Sequence, residues 1–340
     1  MNEKRRAWLK GLGLFALGVV LVVLVIRAIG TSFDELVDRA RFSPGYAALA
    51  LAVTALGNAA VAYRWKLLSE HRGDITLPFT NYFRVIMVTR LLGQFSSNLL
   101  MEVVGRSTGL RWQGDSRSLG RRLSTLLLER GLDVLLLCLM LGWALSVYGA
   151  SPAIALLAFL GICAASVPLS GPFLRLSQHL LGVGGSFYLR LRGQRADVSL
   201  HDPRLSPALV QKIALLGVLR YVLVAAQYWA MGATVGVVLP PFFIGAATPV
   251  AQLSTVIALT PGSLGIQEAG WAGALSFLGL DEASTALFVV GQRLVLIASF
   301  ALVAALAEAL YRFQRGRRCP AESPTGAAVT EGSAPSASER

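Results

Sequence analysis

Apolar positions along this chain come in runs too long for strands, separated by short polar stretches rich in arginine. Leu9 to Ile26 holds one polar side chain, Lys10, and the run from Leu123 to Tyr148 is nearly as apolar once past Asp133. Wound at about 1.5 Å per residue, about 18 or more such residues match the thickness of a hydrocarbon layer. The pattern predicts an all-α fold, a polytopic helical membrane protein with about eight hydrophobic segments.

Charge between the runs assigns sides, because positive residues stay on the cytoplasmic face. A basic N-terminus, 1–8, with Lys4, Arg5 and Arg6, stays inside, and an uncleaved first span over 9–29 leads out. Span two, about Tyr46 to Tyr63, returns to Arg64, Lys66, His71 and Arg72. Span three, Leu123 to Tyr148, goes out, Gly149 to Pro152 is a tight turn, and span four comes back to about Ser170. A polar cytoplasmic loop, 171–212, carries Arg175, Arg190, Arg192, Arg195, Arg204 and Lys212. Span five runs from about Ile213 to Val238, and the last from about Ser284 to Tyr311, ending at Arg312, Arg315, Arg317 and Arg318. The transmembrane domain is thus 9–311, with about six full spans and both termini cytoplasmic. The tail, 312–340, turns to Pro, Ser, Ala, Gly and Glu after Cys319 and is expected to be disordered.

Two segments do not fit single crossings. Residues 78–106 are apolar on average but interrupted by Arg84, Arg90, Gln94, Asn98 and Glu102, and both flanks are basic. A segment that enters and turns back fits that pattern. Residues 240–280 are broken by Pro249, Pro261 and several glycines, and both ends are poor in positive charge. They form a second in-and-back unit from the other face, or two full crossings.

Composition narrows the function classes. Charged residues make up 15% and apolar ones 54%, too little polar surface to cover a soluble core. The net charge of +12 sits between apolar runs rather than on a folded face, which argues against nucleic acid. Three cysteines, Cys138, Cys163 and Cys319, show no metal spacing. Three histidines, His71, His179 and His201, build no H-E-x-x-H site, and there is no Walker A or G-x-S-x-G sequence. No enzyme, metal or cofactor is expected.

The candidate chemistry lies in charges inside apolar runs, where each is penalised by at least about 2.5 kcal/mol. Glu129, Arg130 and Asp133 open span three, and a local ion pair is as good a reading as a site. Arg293 lies inside the last span with no acid near it in sequence, so another helix or a ligand must answer it. Thr260-Pro261-Gly262 and Gly265 break the backbone ahead of Gln267 and Glu268, and irregular backbone at membrane depth survives only where protein buries it or a cavity wets it. A helix restarting at about Ile266 would aim its positive end at that cavity. Arg84, Arg90 and Arg106 would complete a basic pocket; two kinked packing elements are the plainer alternative. Ala269 and Gly273 have small-xxx-small spacing, which usually marks close helix packing.

The stretch Ala258-Leu-Thr-Pro-Gly-Ser-Leu-Gly-Ile-Gln-Glu-Ala269, then Leu278-Gly279 and Arg293, resembles the C-terminal signature of the lysylphosphatidylglycerol synthase transmembrane-region, or flippase-like, family. Arg64-Trp65, Gly93-Gln94 with Asn98, and Leu128-Glu129-Arg130 with Asp133 add to the likeness, over about residues 45–310. The segment Asn98-Leu-Leu-Met-Glu102-Val-Val-Gly105-Arg106 departs from the family's Leu-Pro and Gly-Glu or Gly-Asp pattern by lacking the proline. The resemblance implies movement of a lipid or polyprenyl-linked molecule between leaflets, at a site framed by the two re-entrant elements; Arg90, Arg106 and Arg293 would there hold an anionic or polyprenyl-phosphate head group in the inner membrane. No fused synthase domain is expected. The rival is a scaffold that presents lipid to an envelope biosynthetic enzyme; a homo-oligomer is compatible with either.

Overall fold

The computed structural model describes residues 33–71, 77–96, 101–111, 119–146, 149–191, 206–256 and 260–318, with Val20 and Arg27. The described elements are helical. A short α1, Phe33–Arg39, precedes α2, Pro44–His71. Next come α3, Phe79–Gly93, a π-turn at Met101–Gly105 and α4, Arg106–Arg111. Then follow α5, Leu119–Ser146, and α6, Pro152–Leu191. The chain continues through α7, Pro207–Thr234; α8, Pro241–Val256; α9, Ile266–Phe277; and α10, Glu282–Arg318.

Length and apolarity qualify four helical stretches to cross a membrane among the described residues: Pro44–His71, Ala153–Leu176, Pro207–Thr234 and Glu282–Gln314. By contrast α3 has 15 residues and α9 has 12, about 22 and 18 Å at about 1.5 Å per residue, short of a hydrocarbon layer of about 30 Å. The expected first span, 9–29, the N-terminus 1–8, and the tail beyond Arg318 lie outside the described residues.

The most extensive pairing is α2 with α7. Its end is tied by backbone, with Arg41 N–H donating to the Val235 carbonyl and Ser43 N–H to that of Thr234 at 2.9 Å. Around Trp271 of α9 the core closes, its ring 4.7 Å from Tyr228 of α7 and 5.1 Å from Phe288 of α10. Asp281 caps α10 by accepting from Ser284 N–H at 2.9 Å, a bond that holds its carboxyl below the usual carboxylate range. Glycines let the return arm lie against α3: a Cβ on Gly109 would meet Val85 Cγ1 at 2.8 Å.

Several sequence expectations change here. The helix of span two runs on past Tyr63: α2 continues to His71 and buries Arg64. The expected loop 171–212 is helical as far as Leu191. In both places hydropathy marks where polar residues begin, and polar residues propagate a helix as readily as apolar ones. Pro249 does not break α8; the chain leaves the helix only after Val256. Gly273 has open space at its Cβ position, and it is Gly270 that packs tightly, against Ala251 and Ser254 of α8.

Why Pro249 is tolerated is visible in its partner. A proline withholds the N–H that would bond the carbonyl four residues earlier, here that of Gly245. Tyr221 of α7 donates its buried hydroxyl to that carbonyl at 2.6 Å. Tyr221→Phe is therefore expected to cost about 1–3 kcal/mol, the penalty for a stranded buried acceptor. Pro249→Ala in the same chain restores the missing donor, so the double variant should recover most of the loss in thermal midpoint in detergent. Strict additivity of the two changes would refute the substitution of one donor for the other.

Candidate functional site: a closed ring of charges and its two extra arginines

Six side chains form a closed ring of alternating sign inside the bundle. Arg64 of α2 donates to Glu129 and to Asp133 of α5, each at 2.8 Å. Glu129 also takes Arg106 of α4 at 3.0 Å, and Arg106 lies 3.6 Å from Glu102 of the π-turn. Arg130 of α5 closes the ring by pairing with Glu102 and lying 3.8 Å from Asp133. Arg64, Arg106 and Glu129 are each 1% exposed. Every arginine of the ring bridges two acids and every acid bridges two arginines, so the ring is neutral. Buried charges are tolerated on that condition: breaking such a pair from one side leaves an uncompensated ion.

Two further arginines hang on the ring. Arg90 of α3 reaches Glu102 at 3.1 Å, and Arg220 of α7 pairs with Asp133. Five arginines thus meet three acids in this cluster, a surplus of two positive charges among the described residues. Arg220 and Asp133 sit at the midpoints of 28-residue helices. Arg90 Nε has no hydrogen-bond partner among the described residues.

Both extra arginines line one cavity of about 80 Å³. Its polar wall holds Asn58, Gln94, Gln227, Gln252 and Gln267; its apolar wall holds Val61, Val224, Leu296 and Phe300. Gln94 is buried, and its Oε1 has no partner among the described residues. A larger cavity of about 830 Å³ lies between α6 and the start of α7, lined by Val167, Pro172, Arg175, Ser206 and Gln211 among others. Among the described residues it is lined by one charged group, Arg175, and by none of the ring, so the chemistry rests on the smaller one.

The second interrupted segment joins the first at this cavity. Gly262 N–H donates to the Ser96 carbonyl at 2.7 Å, stitching the tip after α3 to the turn before α9. Gly262 has φ +59°, and a Cβ there would collide with the Gln94 carbonyl and the Arg293 guanidinium. Arg293 of α10 donates to the Gly262 carbonyl at 2.6 Å and to Gln267 Oε1 at 3.2 Å, with Glu268 at 3.6 Å. Gln267 Nε2 in turn donates to Tyr228 Oη at 2.8 Å, and Gln252 Nε2 to the same oxygen at 3.1 Å. The start of α9 is not open to a ligand, because Glu268 turns back to accept the Gly265 N–H at 2.7 Å.

Of the residues singled out in the sequence, Glu102, Arg106, Glu129, Arg130 and Asp133 form the ring with Arg64, and Arg90 joins it. Gln94 and Gln267 line the cavity; Thr260, Pro261, Gly262, Gly265, Glu268 and Arg293 build the turn beside it. The structure separates Arg84 from this group: it pairs with Glu308 of α10 and lies 4.2 Å over the Tyr311 ring. Asn98 lies outside the described residues. The sequence reading placed Arg64 beyond a span end and counted it only toward the family likeness, and it missed Arg220, which carries the same signal as Arg293, a lone charge within an apolar run. Tyr228, Gln227, Gln252 and Asn58 gave no signal, being ordinary polar residues until the helices bring them together.

Compared with known proteins, residues 11–307 match a family model described as the lysylphosphatidylglycerol synthase TM region. No curated protein matches the chain.

The ring makes an unequal prediction for its members. Arg64→Met is expected to cost about 3–5 kcal/mol, as for removal of one partner from a buried pair. Arg220→Gln should cost much less, since Asp133 keeps Arg64 and Arg130. Thermal midpoints in detergent for the two variants test this; equal losses would show that the ring is not the structural unit.

Proposed function

The chain belongs to the lysylphosphatidylglycerol synthase transmembrane-region family, and from that premise we propose that it moves an anionic-head-group lipid between the leaflets of the cytoplasmic membrane. The observation that carries the reading is the pair Arg90 and Arg220, in excess over a neutral ring and lining one cavity with polar and apolar walls. A half-buried positive surplus is costly in a bilayer; a lipid head group of opposite charge offsets that cost, and its chains remain in a medium like their own. The polar wall supplies side-chain amide donors to head-group oxygens. Arg293 has a positioning part, holding the Gly262 turn that presents Gln267 to the cavity.

In this proposal the termini and basic segments face the cytoplasm, as positive charge between spans favours. The protein acts by translocation rather than chemistry on the lipid, and its driving force is the lipid's own gradient, an ion gradient or the membrane potential.

The test is lipid equilibration in proteoliposomes, followed by external quenching of labelled anionic lipids. Wild type should equilibrate at least one anionic class. Arg220→Gln and Arg90→Gln should each slow it about tenfold or more, which is about 1.4 kcal/mol or more in barrier. Arg84→Gln, changed at the separate α3–α10 contact, should match wild type. If no anionic lipid moves above protein-free vesicles under any gradient, translocation is wrong, and capture of a biosynthetic enzyme becomes the function to assay.

A further inference from the structure

We propose that the head group taken by this cavity is a phosphate monoester carrying two negative charges; this rests on the translocation reading above.

Arg64, Arg106 and Arg130 are spent within the ring on Glu102, Glu129 and Asp133. What remains at the cavity is two guanidiniums, from α3 and α7, each with one contact to an acid already shared by two others. A phosphodiester carries one charge and would leave one guanidinium uncompensated in the bundle. A monoester carries nearly two at neutral pH, because its second proton leaves near pH 6, and its terminal oxygens can accept from both guanidiniums at once.

The cavity has a volume of about 80 Å³. The amides of Asn58, Gln94, Gln227, Gln252 and Gln267 ring that volume. Gln94 Nε2 donates to the Arg90 carbonyl at 3.3 Å, and its second N–H is left for the anion. Leu296, Phe300, Val61 and Val224 also line the cavity, and apolar contacts favour a lipid phosphate over inorganic phosphate.

Among the described residues, the charged and titratable groups at the phosphate site are Arg90 from α3 and Arg220 and Tyr228 from α7, with Glu102, Arg106, Arg130, Asp133 and Arg64 behind them and Arg293 of α10 and Glu268 of α9 behind Gln267; α2 and α8 present Asn58, Gln252 and Thr255.

The experiment compares chain-labelled phosphatidic acid, a chain-labelled polyprenyl monophosphate and chain-labelled phosphatidylglycerol in phosphatidylcholine proteoliposomes, at pH 7.5 and pH 5. The expected result is that at least one monoester equilibrates at least tenfold faster than phosphatidylglycerol at pH 7.5. It should slow about tenfold at pH 5, where a group of pKa near 6 has lost most of its second charge. Phosphatidylglycerol keeps one charge across that range, so any change in its rate reports titration of the protein, and the monoester effect is read relative to it. Arg90→Gln and Arg220→Gln, which leave the ring closed, should bring the two classes within about threefold of each other.

If phosphatidylglycerol moves as fast as the monoesters, or the relative rate ignores pH, the monoester assignment is overturned while translocation stands. If excess inorganic phosphate is itself carried and no lipid moves, the dianion site survives and the lipid reading fails. If nothing moves, both fall. The wild-type comparison needs no variant to fold.

Discussion

The structure turns on one requirement, that an arginine and a carboxylate placed in an apolar bundle must find each other from different helices. Arg64 on α2, Glu102 on the π-turn, Arg106 on α4 and the trio Glu129, Arg130 and Asp133 on α5 satisfy it together and not in separate pairs. Because each acid is shared, the ring fixes four elements relative to one another. The interrupted chain between α3 and α5 is held by it, since the short α4 has little length of its own with which to anchor in the bilayer.

Around that ring, backbone polarity is handled by local substitution. Tyr221 replaces the donor that Pro249 withholds, Glu268 covers an open N–H at the start of α9, and Arg293 covers the carbonyl of Gly262. Each repair lies where a regular helix is interrupted or where its bonding ladder is missing a member. In lipid no water is present to do the same, so the broken segments survive only as long as those side chains stay in place.

The helical class, the family and most of the ring were legible in the sequence, and the reasons are physical. Long apolar runs admit little but helices in a bilayer, and a charge inside such a run is costly enough to mark its own importance. Helix ends were not legible: Arg64 and the stretch after Ser170 read as departures from the membrane because hydropathy locates the interface and not the end of hydrogen bonding. Pairing was not legible either. Arg84 and Arg90 look alike on paper, less than two turns apart on α3, yet one meets Glu308 near the far end of α10 and the other meets Glu102 at the ring. Which partner each finds depends on how α3 sits against α10, and that is a property of packing.

The division between a closed ring and two pendant arginines also bears on how such a protein can diversify. A change to any ring member leaves an ion without its counter-charge, so the scaffold yields only to paired substitutions. Arg90 and Arg220 each touch an acid that is already satisfied, so either can be exchanged alone. Lineages built on this frame are therefore free to retune what the cavity accepts one residue at a time, with the architecture that holds the cavity left untouched.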